Sequence, residues 1–62
     1  MPVIHVELLA GRSADQKREL AAVLTRETAR IAKCDPAVVD VIITDIQKEN
    51  WASGGQLYAD KK

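Results

Sequence analysis

The sequence predicts an α/β protein: a single β-α-β unit with parallel strands plus a short C-terminal hairpin. Residues 3–9, VIHVELL, alternate in polarity as a strand does. From Ala14 to about Lys33 the chain is rich in helix formers, with apolar side chains at helical spacing. Residues 39–46, VDVIITDI, are dense in β-branched side chains and read as a second strand. A strand, a right-handed helical crossover and a second strand make the two strands parallel neighbours.

In the first strand Ile4, Val6 and Leu8 form an apolar face, and Val3, His5 and Glu7 a mixed one. Gly11-Arg12-Ser13 breaks the alternation. Ser13 is a favoured N-cap, and Gln16 three residues later completes a capping box. Asp15 then complements the helix dipole. Leu20, Val23, Leu24 and Ile31 form the expected apolar stripe, interrupted by Glu27, with Thr28 at its margin. Arg18, Arg26 and Lys33 are expected toward solvent and Arg30 on the flank. Asp35-Pro36 stops the helix and starts a short capped turn. After the second strand, residues 47–51 form a polar turn ending in the lone Trp. Gly54-Gly55 then marks a tight turn into Gln56-Leu57-Tyr58. Residues 1–62 are expected to form one domain, with a tail fraying from about residue 59.

A chain of 62 residues buries only about 60% of its unfolded surface and usually needs a staple. With one cysteine (Cys34) it forms no internal disulfide, and with one histidine (His5) it cannot fill a closed zinc site. The helix covers only one face of a two-stranded sheet. The second strand is apolar on both faces, with Val39, Val41 and Ile43 on one and Ile42 and Ile46 on the other. A second copy of the chain is the expected cover, which predicts a homo-oligomer with strands joined across the interface.

Nine Lys+Arg balance nine Asp+Glu, so the electrostatic footprint of a nucleic-acid binder is absent. The longest apolar run, Leu20–Leu24, is five residues and spans no membrane. The opening residues do not read as a signal peptide, and one cysteine without a targeting signal fits a cytoplasmic protein.

Conventional catalytic motifs are missing. Cys34 at a helix end reads as a small apolar filler, and His5 as a satisfied structural histidine. Pro2 has two readings. It can simply begin an edge strand, where a missing N–H is tolerated. After removal of Met1 it would instead present a secondary amine. Burial or a nearby cation would lower that amine below the ordinary range of about 7.7–8.0 and leave a neutral base. Arg12, beside Gly11, is either a solvated loop charge or a bidentate clamp for a carboxylate. Trp51 is either a packing anchor or the apolar wall of a pocket.

Taken together, Met1-Pro2 before an apolar strand, Gly11-Arg12-Ser13 followed by Asp15-Gln16-Lys17, then Val41-Ile42-Ile43-Thr44, Trp51 and Gly54-Gly55 resemble the 4-oxalocrotonate tautomerase family of the tautomerase superfamily. The resemblance covers roughly residues 2–57. It implies dimers with a four-stranded sheet, three of which usually make a hexamer. It implies a keto–enol tautomerase acting on small unsaturated 2-hydroxy or 2-oxo acids, with Pro2 as the catalytic base and no metal or organic cofactor. It further implies that Arg12 binds a substrate carboxylate, that Trp51 replaces the usual Phe and keeps the pocket dry, and that the backbone near Leu9 lines the site. Where the family carries a second arginine, before the V-I-I-T segment, this chain has Asp40. A lost charged hydrogen bond costs about 1.5–3 kcal/mol, before repulsion is counted. Asp40 leaves several readings open: a surface or interface carboxylate paired with Arg12, a monoacid substrate, hydratase- or dehalogenase-like chemistry, or a non-catalytic subunit of a mixed hexamer.

Overall fold

The structure, a computed structural model, describes residues 2–61. The expected removal of Met1 and the last residue of the tail, Lys62, fall outside them. Strand β1 (Val3–Leu9) leads through helix α1 (Ala14–Ala32) and a short 3-10 turn (Pro36–Val38) to strand β2 (Asp40–Ile46). β1 and β2 pair in parallel, from Val3 opposite Asp40 to Leu9 opposite Ile46. A two-residue antiparallel ladder, β3 (Ala52–Ser53) with β4 (Gln56–Leu57), closes the chain as the expected hairpin. Its connecting glycines have φ +62 at Gly54 and +82 at Gly55, the signature of a type I′ turn.

The local signals act as the sequence implies. Gln16 N–H donates to Ser13 Oγ at 3.2 Å, and Ser13 N–H donates back to Gln16 Oε1 at 2.9 Å. α1 ends on Lys33 in the left-handed conformation, φ +55. Asp35 accepts from Ala37 N–H at 2.9 Å and caps the turn that Pro36 opens. Cys34 is half-buried.

One expectation changes. The side of α1 packed on the sheet centres on Ala21, Leu24, Thr25, Thr28 and Ala29, all half-buried except Ala29, which is buried at 6% exposure. That side is rotated by about a quarter turn from the Leu20–Val23–Leu24–Ile31 stripe. Val23 is exposed, and Ile31 is 69% exposed. Leu20 and Leu24 of the expected stripe stay half-buried, so the displacement falls on Val23 and Ile31. The helix rises about 28 Å against about 23 Å for each strand, which carries its last turn beyond the sheet.

Ala29 is the one buried hydrophobic residue among those described. The face of the sheet away from the helix is bare, with Val3 at 58% and Ile42 at 52% exposure. On it His5 Nε2 lies 2.8 Å from Thr44 Oγ1, so His5 is satisfied as expected. The C-terminal arm packs on itself. Trp51 and Tyr58 rings sit 5.9 Å apart, Tyr58 N–H donates to Trp51 C=O at 2.8 Å, and Lys61 Nζ lies 4.3 Å from the Tyr58 ring centre. A 3-10 turn, Tyr58–Asp60, runs into the stretch expected to fray. The protomer is 43 × 24 × 14 Å with a radius of gyration of 14.6 Å, against about 10.6 Å for a compact domain of this length. It exposes 4739 Å², where a compact monomer of this mass exposes about 4000 Å². A protomer with so little interior depends on partners for its stability. Ile42→Asp is therefore expected to abolish assembly and, with it, the folded state, as read by sedimentation and far-ultraviolet circular dichroism. An unchanged assembly would show that this face is not an interface.

Candidate active site

The sequence-predicted site residues fall into two groups at opposite ends of β1. Pro2 stands just before the strand and is half-buried. Its carbonyl accepts from Asp40 N–H at 3.0 Å, which fixes the start of β2 beside it. Leu9 ends the strand, and Ala10 N–H donates to Ile46 C=O at 2.9 Å. Gly11 then turns the chain with φ +122, a conformation that a side chain would strain. Arg12 follows, immediately before the Ser13 cap of α1. Seven residue steps of about 3.3 Å separate Pro2 from Leu9 by about 23 Å.

Two concavities flank the Leu9 end. One, of about 170 Å³, lies on the helix side and is lined by Leu8, Arg12, Gln16, Lys17 and Leu20. The other, of about 300 Å³, is lined by Glu7, Ile46, Asn50, Trp51 and Ala52. Arg12 and Trp51 thus sit at the same end of the sheet, near Leu9, and Pro2 does not join them within one protomer. Among the described residues, no carboxylate lies within ion-pairing distance of Arg12. The pairing of Arg12 with Asp40 left open by the sequence is absent from the protomer, because Asp40 stands at the Pro2 end. Lys17 belongs to the Asp15-Gln16-Lys17 motif, but the sequence gives it no role at the site. Its ammonium lies 2.5 Å from Asp45 Oδ2, joining α1 to β2. The signal was its phase: Lys17 precedes Leu20 by three and Leu24 by seven positions, which puts a charge on an otherwise apolar side.

The tautomerase family, described as "Tautomerase enzyme", matches residues 2–61. The chain belongs to the tautomerase family. A probable tautomerase of Ralstonia nicotianae, RSp1151, is 36% identical over 61 residues, covering 98% of this chain and 94% of that protein. A crystal structure of a 4-oxalocrotonate tautomerase homologue, TTHB242, has a TM-score of 0.92 at 39% identity and covers 100% of this chain and 98% of that one. A heterohexamer 4-oxalocrotonate tautomerase from Chloroflexus aurantiacus J-10-fl has a TM-score of 0.95 at 32% identity, with both chains fully covered. The resemblance seen in the motifs is therefore a family relationship over nearly the whole chain. As a tautomerase family member the protein has a tautomerase-like, isomerase type of function. Both homo- and hetero-oligomeric forms are options within such a family, since a relative of the same fold is a heterohexamer.

Proposed function

We propose that the protein is a cofactor-independent keto–enol tautomerase of small unsaturated 2-hydroxy and 2-oxo acids, working in sites shared between protomers. The single observation that carries this reading is the division of the candidate residues between the two ends of β1. β1 has one edge free, since β2 occupies the other. Two-fold antiparallel pairing of free β1 edges would give a four-stranded sheet. It would also set Pro2 of one protomer against Leu9, Arg12 and Trp51 of the next. Three such dimers would complete a homohexamer that covers the bare sheet face.

In that site the Pro2 amine, freed by removal of Met1, is the base. It accepts the 2-hydroxyl proton as the C2–O bond becomes a carbonyl. The ammonium so formed returns a proton to carbon at the end of the displaced electron pair. One proton moves from oxygen to carbon, and no redox step occurs. Arg12 holds a substrate carboxylate and draws electron density away from the reacting carbons. Trp51 excludes water and favours the neutral amine. The test is ketonisation of phenylenolpyruvate and 2-hydroxymuconate, followed by ultraviolet absorbance with the processed protein. A rate no faster than in buffer would overturn the reading.

Asp40 favours a second reading, in which this chain is a non-catalytic partner in a mixed hexamer or acts on a different unsaturated acid, as a hydratase or dehalogenase would. If the position serves substrate binding, Asp40→Arg is expected to raise kcat/KM on the dicarboxylate by about tenfold to a few hundredfold. Steady-state kinetics check this, and no gain would remove the position from the site.

A further inference from the structure

The cavity of about 170 Å³ between β1 and the first turns of α1 has an apolar floor, Leu8 and Leu20, and a polar rim, Arg12, Gln16 and Lys17. Every spare polar group on that rim is a donor. The Arg12 guanidinium makes no ion pair among the described residues. Gln16 Oε1 accepts from Ser13 N–H at 2.9 Å and from Ser13 Oγ at 3.5 Å, so the group the amide has free is its N–H₂. Lys17 commits one proton to Asp45 and keeps two. A rim of unsatisfied donors over a hydrocarbon floor suits a ligand whose oxygens accept only, namely a carboxylate on an apolar stem.

Asp45 explains why Lys17 is available there. The strand register puts Asp45 opposite Leu8, on the face that α1 covers. Both partners are about one-third exposed, 31% for Lys17 and 39% for Asp45. The ammonium is thereby held at the cavity instead of ranging through solvent, as a free lysine would at a cost in rotamer entropy on binding.

We propose that Lys17, positioned by Asp45 and joined by Gln16, is a second carboxylate-binding group beside Arg12 and sets the preference of this site for anionic substrates. The assignment rests on the reading of Arg12 as a substrate contact. On this assignment Lys17 contacts a carboxylate and not the reacting carbons. Its loss therefore acts on KM and leaves kcat in place.

The experiment compares wild type with Lys17→Met, Lys17→Arg and Arg12→Ala in the assembled, processed protein, using 2-hydroxymuconate as substrate. Adipate, a saturated six-carbon dicarboxylate, serves as a competitive probe. Lys17→Met is expected to raise KM and the adipate inhibition constant together by about tenfold at low salt, with kcat nearly unchanged. Lys17→Arg should restore most of the loss. The double variant Lys17→Met/Asp45→Asn removes both members of the ion pair. It should show the same rise in KM, which separates binding from any damage done by an unpaired Asp45. If Arg12→Ala raises KM and Lys17→Met and the double variant leave it unchanged, the proposal is overturned while the role of Arg12 stands. If Arg12→Ala also changes nothing, the carboxylate reading of this end of the sheet falls, and the proposal with it.

Discussion

Pro2→Ala in the processed protein is expected to lower kcat for tautomerisation by about 10²–10⁴-fold, the range that a positioned general base supplies. KM should change little, because in the proposed shared site the carboxylate contacts come from Arg12 of another protomer, which the substitution leaves in place. Alanine leaves a primary amine at the same place, so the loss measures the secondary amine and its ring, not the mere presence of a terminus. Retention of Met1 should have the same effect by a different route, since an acylated nitrogen has no lone pair to offer. Intact-mass measurement distinguishes the two. A titration of the Pro2 amine should give a value well below the ordinary α-amino range of about 7.7–8.0. Wild-type rates in Pro2→Ala would remove the proline from the chemistry.

The second large effect appears on mixing two impaired proteins. At substrate concentrations well below KM, Pro2→Ala and Arg12→Ala each impair every site of their own assemblies. In a dimer made of one chain of each kind, one site receives both substitutions and the other receives neither. After dissociation and random reassembly of equal amounts, about half the dimers are mixed, so about a quarter of the wild-type rate should return. A single-chain site allows no such recovery. Activity that stays at the background of the parent variants would mean that Pro2 and Arg12 do not meet across the β1 edges. Native mass spectrometry of the mixture would verify that exchange took place.

Much of the fold was legible because the local signals are short-range. The alternation of VIHVELL ended β1 at Leu9, as observed. Ser13 and Gln16 set the start of α1, and two glycines at positive φ set the hairpin. The packed side of α1 was less legible. Hydropathy marks Leu20, Val23, Leu24 and Ile31, of which Leu20 and Leu24 stay half-buried, whereas contact with a two-stranded sheet adds small side chains such as Ala21 and Ala29 and leaves out Val23 and Ile31. Size, not polarity, set that choice, and the displaced apolar residues point to surface that only another chain would cover. Of the site, Arg12 and Trp51 were legible as candidates one by one, and their place at the same end of the sheet emerged only from the fold. Lys17 was hidden because its partner, Asp45, is 28 positions away in the chain. That Pro2 and Arg12 lie apart could be read only by turning a strand length into a distance.

The separation of Pro2 from Arg12 by the length of β1 bears on how such a protein diverges after gene duplication. A site assembled from the two ends of different chains lets each copy lose one end and still complete its sister. One paralogue can keep the proline and drift at the Arg12 end, while the other does the reverse. Neither gene is then dispensable, although each encodes a chain that is inert alone. Asp40, on the end that carries Pro2, is the kind of change that such mutual cover would tolerate.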